Sequence, residues 1–211
     1  MTLWSLFQNN TSRPIHKWNH YFPVYESHFA RYVNRPMVFL EIGCGNGGSL
    51  KMWKNYFGPF AQIVGIDINS ECKQFEEDQI AVRIGDQSDE KFLESVCQEF
   101  GEFDIVLDDG SHVMEHIKAT FSFLYPNLSK NGIYMVEDLH TAYWNEFGGG
   151  VRSSSSFIEF AKDCVDQLNI QHTRGKLDPT PISKSTQSIH FYDSMVVFEK
   201  AIQFPKKATF I

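Results

Sequence analysis

Met37-Val38-Phe39-Leu40-Glu41-Ile42-Gly43-Cys44-Gly45-Asn46-Gly47-Gly48 is the stretch that decides the fold. Its first six residues read as a short, fully buried strand, and the glycines that follow read as a turn whose backbone approaches a neighbour closely. Leu50, Trp53 and Phe57 then fall on one face of a predicted helix that Gly58-Pro59 ends. The same unit repeats downstream. The apolar runs 61–66, 80–84, 103–107 and 132–136 predict four more strands. A helix capped by Ser88 should bury Phe92, Val96 and Phe100, and a later one Val113, Ile117, Phe121 and Leu124. Alternation of this kind implies a parallel sheet with helices on both faces, whose ligands bind beyond the carboxyl ends of the strands.

Each predicted strand ends in acid: Glu41, Asp67, Asp86, Asp108-Asp109 and Glu137-Asp138. Carboxylates are costly to bury without partners, so five such ends in succession predict one shared site. Past Gly148-Gly149-Gly150 and a serine run, read as a mobile loop near the cleft, comes a helix burying Phe157, Phe160 or Ala161, Cys164 and Leu168. Residues 172–184 read as irregular. The chain closes on 188–192 and 195–199 around Asp193-Ser194, a two-residue hairpin. The expected class is therefore α/β, doubly wound, with a mostly parallel seven-stranded sheet and a C-terminal antiparallel hairpin.

At 211 residues the chain suits one globular unit. A net charge of −7 with no basic stripe argues against a nucleic-acid partner. No apolar run reaches the ~20 residues of a membrane helix, and the first residues lack a secretion signal, which predicts a cytoplasmic protein without a membrane span. Cys44, Cys72, Cys97 and Cys164 are too scattered for a disulfide framework or a zinc knuckle. Residues 1–36 differ from the rest. They hold eight aromatic side chains, with Tyr21, Tyr25, Phe29 and Tyr32 at helical spacing, and predict an arm that packs on the core or lies as a lid over the site. Residues 37–211 form the main domain.

Gly43, Gly45 and Gly48 satisfy a dinucleotide-type pattern, weak by itself. Glu41 directly before the first glycine, together with the terminal hairpin, favours S-adenosylmethionine over NAD. Asp67 is placed to accept hydrogen bonds from ribose hydroxyls, and Asp86 to read an adenine amino group; Asp108 is assigned to the cofactor too. Asp109, Glu137 and Asp138 supply oxygens suited to Mg²⁺ or Mn²⁺. Such a cation could hold two neighbouring hydroxyls, and His112 is the natural acceptor for the proton of one. The run from His112 to His116 also matches a His-x-x-Glu-His zinc pattern, but His112 directly follows a strand end and should not share a helix face with His116.

Residues 38–138 resemble the class I S-adenosylmethionine-dependent methyltransferases. The pairing of Asp108-Asp109-Gly110-Ser111-His112 with Val136-Glu137-Asp138-Leu139 is similar to the metal-dependent sugar O-methyltransferases of macrolide biosynthesis, the mycinamicin and macrocin type. The resemblance implies Asp109, Glu137 and Asp138 as metal ligands, His112 as general base, Glu41 and Gly43 in the cofactor turn and Asp67 on the ribose. It also implies that the stretch around His16-Lys17-Trp18 helps to cover cofactor and substrate. The expected reaction is Mg²⁺-dependent methylation of a sugar hydroxyl on a surface glycan or a glycosylated natural product. Alternatives are a catechol-type methyltransferase, a non-catalytic cofactor-binding partner protein and an NAD oxidoreductase. Relatives often carry a separate oligomerisation domain, and with 36 residues before the first strand a homo-oligomer stays open.

Overall fold

The computed structural model describes residues 2–204 and 206–210. Seven strands form one sheet: β1 (Met37–Ile42), β2 (Ala61–Asp67), β3 (Ile80–Ile84), β4 (Phe103–Asp108), β5 (Leu128–Val136), β6 (Thr186–Tyr192) and β7 (Met195–Lys200). Their order is β3-β2-β1-β4-β5-β7-β6. The first five run parallel, and β7 pairs antiparallel with both β5 and β6. The predicted doubly wound sheet with a terminal hairpin is the observed one.

Among the described residues seven α-helices flank it: α1 (Leu3–Gln8), α2 (Phe22–Phe29), α3 (Gly48–Phe57), α4 (Glu90–Phe100), α5 (Met114–Leu124), α6 (Phe157–Leu168) and α7 (Pro181–Ser185). Side chains alternate across the sheet. Phe39, Ile63, Ile105, Leu107, Ile133 and Met135 enter one core with α1, α2 and α3. Leu40, Val64, Val106, Tyr134 and Val136 enter the other with α4, α5 and α6. The aromatic arm is part of the first core, since Tyr21, Phe22, Tyr25 and Phe29 are buried and Tyr25 and Phe29 set their rings edge-on against Trp53 and Phe39. Its residues 13–17 also lie against the glycine turn.

Several local expectations need correction. Asp89, not Ser88, caps α4, its carboxylate accepting from Lys91 and Phe92, while Asp86 takes up the Ser88 amide and hydroxyl. The buried face of α4 is Leu93 and Val96, with Phe92 and Phe100 only partly covered. Val113 precedes α5 instead of lying within it. The segment after β5 contains two short 3-10 helices, Leu139–Tyr143 and Asn145–Phe147. Gly149 and Gly150 then hydrogen-bond back to Trp144 and Ala142, forming a closed turn. The region expected to be irregular holds a 3-10 turn, Ile170–Thr173, and α7. All four cysteines are free thiols. Among the described residues no helix is long and apolar enough to cross a membrane.

Candidate active site

Side-chain parity sorts the strand-end acids. Glu41, Asp109 and Glu137 continue the alternation of the first core, so their carboxylates turn to the α3 side of the sheet. There they meet one cation, the Lys17 ammonium of the arm. Its Nζ lies 2.6 Å from Asp109 Oδ2, 2.9 Å from Glu137 Oε1 and 3.4 Å from Glu41 Oε1. Burial opposes a charge on Lys17, but Asp109, Glu137 and Glu41 outweigh it and hold its pKa well above the ordinary value. Burial likewise pushes the pKa of Glu137 well up and that of Glu41 up, with Lys17 only partly offsetting the rise.

Glu41 is fully buried; it accepts from Ser49 Oγ at 2.7 Å and Trp53 Nε1 at 3.2 Å. It therefore anchors α3 and Lys17 beneath the glycine turn and lines neither cavity beside that turn, where a direct cofactor contact was expected. Asp108 requires a similar correction. Even parity sends it into the opposite core, where Gln87 Nε2 donates to it at 3.2 Å and Tyr134 Oη at 3.2 Å. Burial raises its pKa to about 7 despite the donors Gly110, Gln87 and Tyr134. Asp108 thus leaves the expected acidic group and fixes Gln87, whose Oε1 accepts from the Ser111 amide at 2.7 Å.

Asp138 has even parity as well, but its φ of +53° puts it in the left-handed region and swings its carboxylate back toward Asp109. His112, at φ +58°, faces it. The Thr141 hydroxyl donates to the Asp138 carbonyl at 2.7 Å and lies 3.4 Å from that of His112. Tyr21 Oη donates to Asp138 Oδ1 at 2.7 Å, and burial and this carboxylate raise the phenol's pKa. That leaves Asp109 Oδ1 and Asp138 Oδ2 facing His112 Nε2, at 4.0 and 3.8 Å. One ligand atom from each of Asp109, His112 and Asp138 lies within 4.8 Å of the others. Glu137 stands behind this group, on Lys17.

Two small cavities meet at Gly43. One, of about 210 Å³, is lined by Asp67, Gly85, Asp86, Gln87, Ser111 and His116. The other, of about 220 Å³, lies between arm residues 14–17, the turn from Gly43 to Asn46, Asp109, His112 and Asp138. Asp67 carries the turn itself, accepting from the Gly45 amide at 3.0 Å. Gly43 admits no side chain, because a Cβ there would stand 2.2 Å from the Asp109 carbonyl oxygen at φ +82°. His116 bonds Ser111 Oγ at 3.1 Å and faces the first cavity while His112 faces the second, so the zinc-peptidase pattern is not assembled. Lys17, Tyr21, Gln87 and Thr141 were not assigned from sequence. Apart from its place in the arm stretch, nothing local marks Lys17, whose partners lie 92 and 120 residues away.

A parallel sheet in this order with an antiparallel β7, and a glycine turn between two strand-end cavities, define the Rossmann-like fold of the class I methyltransferases. No protein-family model matches the chain. It is 37% identical over 194 residues to the mycinamicin VI 2''-O-methyltransferase of Micromonospora griseorubida, covering 86% of this chain and 48% of that protein. It is 36% identical over 201 residues to the demethylmacrocin O-methyltransferase of Streptomyces fradiae, covering 88% and 50%. The MycE methyltransferase of the mycinamycin biosynthetic pathway, solved in complex with Mg, SAH and mycinamycin VI, superposes with a TM-score of 0.86 at 34% identity, covering 95% of this chain and 54% of that one. The chain spans about half the length of the curated relatives it matches. Over that half, the chain is a homologue of the macrolide-pathway sugar O-methyltransferases.

Proposed function

We propose that the chain is a divalent-cation-dependent O-methyltransferase that moves the methyl group of S-adenosylmethionine to a sugar hydroxyl of a glycosylated small molecule or surface glycan. The observation that carries this reading is the convergence of Asp109 Oδ1 and Asp138 Oδ2 on His112 Nε2 beside the glycine turn. The donor set fits Mg²⁺ or Mn²⁺, being oxygen-rich and half open. The charge also fits. Glu41, Asp109 and Glu137 touch one ammonium and Asp138 stands beside His112, an excess of three negative charges when all four acids are ionised, and a divalent cation with a sulfonium would cancel it.

Asp109, Glu137 and Asp138 would hold the cation, which when bound grips neighbouring hydroxyls and acidifies one of them. His112 Nε2 then takes that proton. Gly43, Gly45 and Asp67 orient the cofactor along the two cavities, with Asp86 and Gln87 at its adenine end, so that the acceptor oxygen meets the methyl carbon in line. Residues 1–36 act as the cover and 37–211 as the catalytic domain.

The acceptor side is aromatic. From the arm to the base run Trp18, His140, Trp144, Phe147 and His112, successive ring centroids 5.9, 5.0, 6.0 and 6.5 Å apart. Trp18 and Trp144 are about half exposed, at 51% and 46%. Exposed indole faces suit the apolar face of a pyranose ring. The acidic surface suits neither nucleic acid nor an anionic membrane, and we read the enzyme as cytoplasmic.

The test is methyl transfer from labelled S-adenosylmethionine to mycinamicin VI, demethylmacrocin, simple rhamnosides and catechols, each with Mg²⁺ and with EDTA. Glycoside methylation that EDTA stops and Mg²⁺ restores is expected. Catechols as the preferred acceptors would move the assignment to the catechol-type enzymes. Cofactor binding with no metal uptake and no transfer would make the chain a non-catalytic partner, and nicotinamide binding would make it an oxidoreductase.

A further inference from the structure

Arm residues 11–17 lie across the cofactor turn with little backbone support. Among the described residues they form no backbone-to-backbone hydrogen bond. The contact with the turn is nonetheless close: a Cβ on Gly48 would stand 2.3 Å from the Pro14 carbonyl oxygen and 2.5 Å from that of Arg13. The Arg13 guanidinium lies over the Phe75 ring at 4.6 Å. The deepest anchor is Lys17, whose side chain is 2% exposed and whose ammonium touches Asp109, Glu137 and Glu41.

We propose that Lys17 is a built-in cation of the acidic site that latches the arm over the cofactor turn, so that arm closure and divalent-cation binding oppose one another. The inference rests on the methyltransferase reading for the divalent cation. Asp109 and Glu137 are the two acids the ammonium touches most closely, and both belong to the set that would hold the metal. Two like charges drawing on the same buried carboxylates repel, with little water between them to screen the interaction. By linkage, the factor by which a seated Lys17 weakens the metal is the factor by which the metal weakens the seat of Lys17. The arm residues 14–17 wall the cavity beside the turn. The latch would therefore make access to that cavity sensitive to metal occupancy, with Lys17 acting as a positioning residue.

The test combines isothermal titration with MnCl₂ and hydrogen exchange read by mass spectrometry on wild type, Lys17→Met and Lys17→Arg. Lys17→Met is expected to bind Mn²⁺ about tenfold more tightly or better, and to exchange the amides of 11–18 about tenfold faster, with β4 and β5 as protected as in wild type. Lys17→Arg, which keeps the charge, should stay within about threefold of wild type on both readouts. Saturating Mn²⁺ should speed arm exchange in the wild-type protein, and this comparison decides the matter if Lys17→Met does not fold. Unchanged or weaker Mn²⁺ affinity in Lys17→Met, unchanged arm exchange in that variant, or no effect of Mn²⁺ on the wild-type arm overturns the latch. Absence of Mn²⁺ uptake in both the wild type and Lys17→Met would instead refute the metal-dependent methyltransferase reading, leaving arm exchange in Lys17→Met and Lys17→Arg to judge the latch alone.

Discussion

Replacing Asp108 by Asn separates a support of the cofactor cavity from a ligand in it. The carboxyl is buried, and its pKa stands at about 7 against an ordinary 3.8. In the folded chain the proton is therefore held more tightly than in the unfolded one, and wild-type stability falls as the pH rises from about 4 through 7. The gap corresponds to about 4 kcal/mol in full, of which roughly 2–3 kcal/mol develops between pH 5 and pH 8. Asn has no proton to lose. It keeps an accepting oxygen for Gln87 and Gly110, and its amide can face the Tyr134 hydroxyl, which is free to rotate. Other titrating groups change equally in both proteins and cancel in the difference. Urea denaturation of both at pH 5 and pH 8 should show Asp108→Asn gaining roughly 2–3 kcal/mol on wild type between the two pH values. Its affinity for S-adenosylmethionine should stay within about threefold, because Gln87 keeps its bond to Ser111. Parallel pH profiles, together with a more than about tenfold loss of cofactor affinity, would show instead an ionised Asp108 acting on the cofactor.

Three further outcomes follow from the site. His112→Ala should lower kcat/KM by about 10²–10⁴ while leaving cofactor and Mn²⁺ binding nearly intact; activity close to wild type in steady-state assays would remove His112 as the base. Gly43→Ala combines a left-handed backbone with a clash on the Asp109 carbonyl, and thermal melts should show a loss of roughly 3 kcal/mol or more together with lost cofactor binding. Trp144→Ala should raise the KM for a glycoside about three- to tenfold with kcat nearly unchanged, since it removes one stacking face that meets Phe147 and not His112 itself; an unchanged KM would place the acceptor elsewhere.

The glycine turn, the strand-end acids and the hairpin were legible because each is a local pattern. Period-two alternation, glycines where a Cβ cannot stand, and a two-residue turn all act over a few residues. Boundaries were less legible where neighbouring acceptors compete for one end, as with Asp86, Ser88 and Asp89 at the start of α4. The acids themselves could be counted but not sorted. Glu41, Asp109 and Glu137 share a face by parity, Asp108 leaves it, and Asp138 returns to it through a left-handed backbone that no residue pattern announces.

What the sequence determined by itself was the sheet, the glycine turn and the residue types available for chemistry, since propensity, periodicity and sterics are properties of neighbours in the chain. What only the tertiary structure decided was which charges meet. Lys17 pairs with acids 92 and 120 residues away, and Tyr21 with Asp138 across 117. Such pairs are set by where the arm crosses the folded sheet. Burial then gives them their strength, because carboxylates that water would screen in the unfolded chain must find a cation once the fold has removed the water.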